Sequence, residues 1–132
     1  MKLGILGGGQ LGMMICQAAK KNSIETIIYS DFSDSPAIHF SNNHFISKYN
    51  DLNKIDEFIN ECDVITYEFE NIPYETLNEM NKLKSVLPKP SVNRLIQHRL
   101  AEKDFINKLN IRTTRYVSIE KKSDLDTLQD FL

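Results

Sequence analysis

Apolar and polar positions along this chain follow two periods in turn. Lys2–Leu6 is a short apolar run bounded by Gly7-Gly8-Gly9, the pattern of a buried strand. From Leu11 to Lys21 the apolar positions Leu11, Met14, Ile15, Ala18 and Ala19 recur at i, i+3, i+4, i+7 and i+8, one face of a helix. Glu25–Ser30 is rich in β-formers and predicts a second strand, ending at Asp31. The turn formers of Phe32–Ala37 predict a loop. His44–Ser47 reads as a weaker strand, and Leu52–Glu61 as a helix with Leu52, Ile55, Phe58 and Ile59 on one side. Asp63–Phe69 is another clear strand, after which Pro73 opens a helix at a position where its missing N–H does no harm. Ser85–Leu87 is a short strand stopped by Pro88 and Pro90.

Strands alternating with helices of this length predict an α/β fold: a doubly wound parallel sheet of about five strands with crossover helices. Beyond Pro90 the texture changes. Val92–Leu109 reads as a long helical stretch with a charged face and a break near His98. Tyr116–Ile119 reads as a strand, and Ser123 as the N-cap of a last helix. The expected division is therefore 1–92 for the sheet domain and 93–132 for the start of another.

Composition narrows the class. The chain has 132 residues, 41% of them apolar, enough for one core but not for two full domains. Sixteen basic against 18 acidic residues leave a net charge of −2, with no general pull toward nucleic acid or an anionic membrane. No apolar run is long enough to span a bilayer. Cys16 and Cys62 each sit in an apolar stretch and read as free buried thiols of a cytoplasmic protein. His39, His44 and His98 are too scattered to hold a metal.

Two segments carry candidate chemistry. Gly7-Gly8-Gly9-Gln10-Leu11-Gly12 satisfies G-x-G-x-x-G between a strand and a helix, and Asp31 follows 19 positions after Gly12. That is the dinucleotide fingerprint, with amides at a helix N-terminus for phosphate and a carboxylate for ribose hydroxyls. It is not selective for NAD, because any phosphorylated small molecule can use such amides. In the second segment, Asp63 to Pro73, alternation puts Glu68 and Glu70 on one side of the strand end. Carboxylates there face the ligand-binding edge of an open α/β sheet, or else merely cap the next helix.

Taken in order, GILGGGQLG at the start, DFSDSPA at 31–37, CDVITYEFENIP at 62–73 and QHRLAEKDFINKLNI at 97–111 resemble the N-terminal part of the N5-carboxyaminoimidazole ribonucleotide synthases. These are ATP-grasp ligases of de novo purine synthesis. The resemblance implies a Rossmann-like pre-ATP-grasp domain followed by the start of an ATP-grasp domain. It implies the conversion of aminoimidazole ribonucleotide, bicarbonate and ATP, through carboxyphosphate, to the N5-carboxylated ribonucleotide. Gln10, Leu11, Gly12, Glu68 and Glu70 would then bind the ribonucleotide, Glu68 through ribose hydroxyls or the amine-bearing part of the substrate. Arg99 would contact ATP phosphate, and Mg²⁺ is implied by ATP-grasp chemistry. The full-length enzyme is expected to be a homodimer. The catalytic residues are expected downstream of Leu132, so the 132-residue chain alone should hydrolyse no ATP and its last residues should fray. Two positions depart from the family pattern: His98 stands where an aspartate is usual, and Met13 where an arginine often follows the glycine loop. An NAD-dependent oxidoreductase domain and a non-catalytic nucleotide-binding module are the alternatives.

Overall fold

The structure is a computed structural model that describes residues 1–128, apart from the side chain of Thr127. The described residues form two units, Met1–Gln97 and His98 onward.

In the first unit, β1 (Lys2–Leu6), α1 (Gln10–Lys21), β2 (Glu25–Ser30), a 3₁₀ turn (Pro36–Phe40), β3 (Asn43–Ile46), α2 (Leu52–Glu61), β4 (Val64–Tyr67), α3 (Tyr74–Leu83) and α4 (Pro90–Ile96) follow in order. The four strands make one parallel sheet in the order β3-β2-β1-β4. The chain moves outward from β1 to β3, then crosses back through α2 to place β4 on the other side of β1. The strand order thus reverses between β1 and β4, where open α/β sheets bind ligands at their carboxyl ends.

Both faces of the sheet are covered. Ile5 and Ile28 pack with Cys16 of α1 and Ala37 of the 3₁₀ turn. Leu6, Tyr29 and Ile65 pack on the other face with Phe58 of α2 and Met80 of α3. Phe58 is fully buried and meets Tyr29 and Phe45 edge-on at 5.4 and 5.9 Å between ring centroids. This doubly wound arrangement is the one that the alternating pattern predicts.

Four details differ from the sequence expectation. The predicted fifth strand is a single bridge from Val86 to Ile65. Ile65 N–H donates to Ser85 O and Leu87 N–H to Ile65 O, both at 2.9 Å, and the pairing goes no further as the chain enters Pro88-Lys89-Pro90. The Asp63–Phe69 strand shortens to Val64–Tyr67. The inward face of α1 is Gly12, Cys16 and Ala19, while Leu11 and Met14 stay 57% and 58% exposed. Finally, the 31–37 loop runs into the 3₁₀ turn, tied to the glycine loop where Ala37 N–H donates to Gly8 O at 2.9 Å.

The second unit holds α5 (Arg99–Lys108) and a 3₁₀ segment (Lys122–Leu128). The break expected near His98 is present: α4 ends at Ile96, and His98 caps α5 by accepting the Ala101 N–H on Nδ1 at 3.3 Å. Residues 111–120 carry no regular secondary structure, and the described residues of this unit include no strand for Tyr116–Ile119 to pair with. The helix expected from Ser123 starts one residue earlier as 3₁₀, and its continuation over 129–132 lies outside the described residues.

Candidate active site

The glycine loop turns between β1 and α1. Gly7 takes φ +107°, a left-handed value that a residue with a side chain rarely adopts, and so the chain leaves β1 sharply. α1 starts at Gln10 with Gly9 as its N-cap, and Gly9 has no side chain to satisfy the first-turn amides.

Those amides are satisfied by a residue from the far side of the sequence. Pairing of Leu6 with Tyr67, and the Glu68 N–H donating to Leu6 O at 3.1 Å, bring Glu68 level with the loop. Its Oε1 accepts the Gly9 N–H at 2.6 Å, and its Oε2 accepts the Gly12 N–H. The carboxylate therefore sits at the positive end of the α1 dipole, where charge-assisted bonds each contribute roughly 1.5–3 kcal/mol. The loop fits this side chain closely. A Cβ on Gly7 would stand 2.3 Å from Glu68 Cγ, and one on Gly9 would stand 2.9 Å from Oε1. A Cβ on Gly12 would meet the Gly7 carbonyl oxygen at 2.7 Å, which accounts for the rotation of α1 that leaves Leu11 outward.

The structure thus gathers Gln10, Leu11, Gly12 and Glu68 at the β1/β4 reversal. Gln10 and Leu11 are exposed at the first turn of α1, where helix geometry leaves their N–H groups without an acceptor inside the helix. Glu70 is not drawn into this cluster. It is exposed beyond the strand end, and shares with Glu68 only a shallow hollow of about 160 Å³ walled by Phe69, Pro88 and Ile96. Asp31 is likewise exposed. A larger hollow, about 550 Å³, opens beside Glu25 and Thr26 at the amino ends of the strands. That is the end of a parallel sheet opposite to the one that binds ligands, so position rather than volume marks the site.

Sequence reasoning missed the support behind the loop. Ser30 and Ser35 hydroxyls are hydrogen-bonded at 2.7 Å in the buried space beneath Gly8, and Ser35 Oγ donates to Phe32 O at 2.8 Å. The Ser-Pro-Ala segment was the visible signal, but its partner was not.

In the second unit Arg99 is 79% exposed and pairs with Glu102 at 2.7 Å, a surface pair of small energetic worth. With Lys103 it borders a hollow of about 270 Å³ that also includes Tyr116. Lys103 Nζ donates to Thr114 Oγ1 at 3.0 Å and lies 5.4 Å from the centroid of the Tyr116 ring, which places a second cation at this hollow. Among the described residues no three His, Cys, Asp or Glu side chains converge as metal ligands. No helix among them is long and apolar enough to cross a membrane.

Comparison with known proteins places this geometry. A family model described as the ribonucleotide synthetase preATP-grasp domain matches residues 1–97. The N5-carboxyaminoimidazole ribonucleotide synthase of Brucella melitensis is 36% identical over 123 residues, which is 93% of this chain and 34% of that protein. The bifunctional purine synthesis protein purC/E of Dictyostelium discoideum is 40% identical over 93% of this chain and 12% of its own length. The crystal structure of the Staphylococcus aureus N5-carboxyaminoimidazole synthetase complexed with ADP superposes with a TM-score of 0.90 at 30% identity, over 99% of this chain and 35% of that one. The Aspergillus clavatus synthase in complex with ADP and 5-aminoimidazole ribonucleotide does so with a TM-score of 0.83 at 26% identity, over 99% and 36%. The chain therefore spans about a third of the synthases it matches. With a parallel sheet, a glycine loop and a match over residues 1–97 of its 132, the chain belongs to the ribonucleotide synthetase preATP-grasp domain family.

Proposed function

We propose that this chain is the ribonucleotide-facing part of an N5-carboxyaminoimidazole ribonucleotide synthase. The observation that carries the reading is the Glu68 carboxylate held at the β1/β4 reversal with Gln10 and Leu11 exposed beside it. A carboxylate has about four lone-pair sites, of which the loop amides take two, so Glu68 retains acceptors for ribose hydroxyls or an amine. The Gln10 amide and the N–H groups of Gln10 and Leu11 supply further donors. In the whole enzyme ATP would phosphorylate bicarbonate to carboxyphosphate, whose carboxyl passes to the substrate amine as phosphate departs. Arg99, with Lys103 next to it, would meet the nucleotide phosphates. A cytoplasmic setting is supported by the two free buried cysteines, and a homodimer by the resemblance alone.

The test is calorimetric titration of the chain with aminoimidazole ribonucleotide, AMP and NADH. Saturable binding of the aminoimidazole ribonucleotide, weakened at least about tenfold by Glu68→Gln, is expected. Binding of NADH with no response to the ribonucleotide would sink the reading.

A further inference from the structure

The loop carries the signature of a diphosphate cradle, and yet the cradle is filled from within. In dinucleotide-binding folds the second glycine lets the backbone approach a pyrophosphate, whose charge sits at the helix N-terminus. Here the group that Gly9 admits is Glu68: a Cβ at that position would collide with Oε1, not with open space. The amides of Gly9 and Gly12 are bound to its carboxylate, which leaves those of Gln10 and Leu11 on the outer side of the turn. Residues 7–13 contain no Lys, Arg or His to draw in a second anion.

We propose that Glu68 is the specificity determinant of this loop, acting as its resident anion and closing its Gly9 and Gly12 amides to phosphate and to dinucleotides. An incoming phosphate must either remove a carboxylate from two amide donors or approach it within a few ångströms, where like charges repel. Where the Gly9 and Gly12 amides would offer donors to an anion, the loop presents a fixed acceptor to hydroxyl- or amine-bearing ligands. The claim concerns what the loop refuses, and it stands or falls separately from ribonucleotide binding.

The experiment titrates inorganic pyrophosphate, and then NADH, into the wild-type chain and into Glu68→Ala and Glu68→Gln. The Gly9 and Gly12 amide resonances are followed by NMR, with spectral dispersion elsewhere reporting the fold. In the wild type the two resonances should not move. In Glu68→Ala pyrophosphate should bind at least about tenfold more tightly, with shifts centred on those amides. Glu68→Gln removes the charge and can accept only one of the two amides, so it too should gain binding, and it serves as the test if the alanine variant does not fold. Pyrophosphate or NADH binding at these amides in the wild type would overturn the proposal, as would folded variants that gain nothing.

Discussion

Glu68 Oε1 accepts the amide of Gly9 at 2.6 Å across 59 residues of sequence. This bond, with its companion to Gly12, ties β4 to the start of α1 and joins the two segments that carry the candidate chemistry.

Loss of that tie should be measurable as stability. Glu68→Ala removes two charge-assisted bonds and leaves two amides of α1 to solvent. At this half-buried position water replaces part of the loss, so a destabilisation of about 2 kcal/mol is expected by urea unfolding. Glu68→Gln should cost less, because its amide oxygen can still accept one of the two N–H groups. Equal stability of all three proteins would show that the carboxylate contributes nothing there.

Gly7→Ala should be more damaging than an ordinary loop substitution. The residue sits at φ +107° with a Cβ position 2.3 Å from Glu68 Cγ, so strain and a clash coincide. A loss of about 2 kcal/mol or more is expected, together with faster hydrogen exchange of the Gly9 and Gly12 amides as Glu68 is displaced. Wild-type exchange rates at both amides would contradict this.

Stability should fall at alkaline pH through Cys62. Burial, and next the nearby Glu61 carboxylate, push its thiol from 9.0 up to about 12. Between these values the folded chain retains a proton that the unfolded chain has released, so stability is full below pH 9.0 and declines as pH rises toward about 12. Cys62→Ala should flatten that part of the curve. In the native protein the thiol should also resist alkylation at neutral pH, becoming reactive only on denaturation.

His98→Asp should tighten the start of α5. The imidazole now caps the helix through a 3.3 Å acceptor contact to Ala101 N–H, whereas a carboxylate is a preferred cap and also suits the helix dipole. A gain of roughly 0.5–1 kcal/mol is expected, read as slower exchange of the Ala101 amide. Unchanged or faster exchange would mean that the histidine already meets the need.

Most of the sheet domain was legible from local pattern. β1, β2 and α2 run over the ranges that periodicity predicts, because each buries its apolar residues against a neighbour at the period that its own backbone imposes. Legibility failed where an element depends on something beyond itself. Leu11 and Met14 are apolar and helical yet exposed, because contact of Gly12 with Gly7 and Glu68 sets the rotation of α1. Ser85–Leu87 and Tyr116–Ile119 have strand composition, but a strand exists only as a member of a ladder.

The same division holds for the site. By itself the amino-acid sequence determined that glycines must line a strand-to-helix turn and that a carboxylate must close β4, since both follow from residue type and position along an element. It left open what the glycines make room for, with phosphate as natural an occupant as any. Only the tertiary structure decided that the occupant is Glu68, because the parallel register of β1 and β4 sets which side chain reaches the α1 amides, and that register is a property of two segments far apart in the chain.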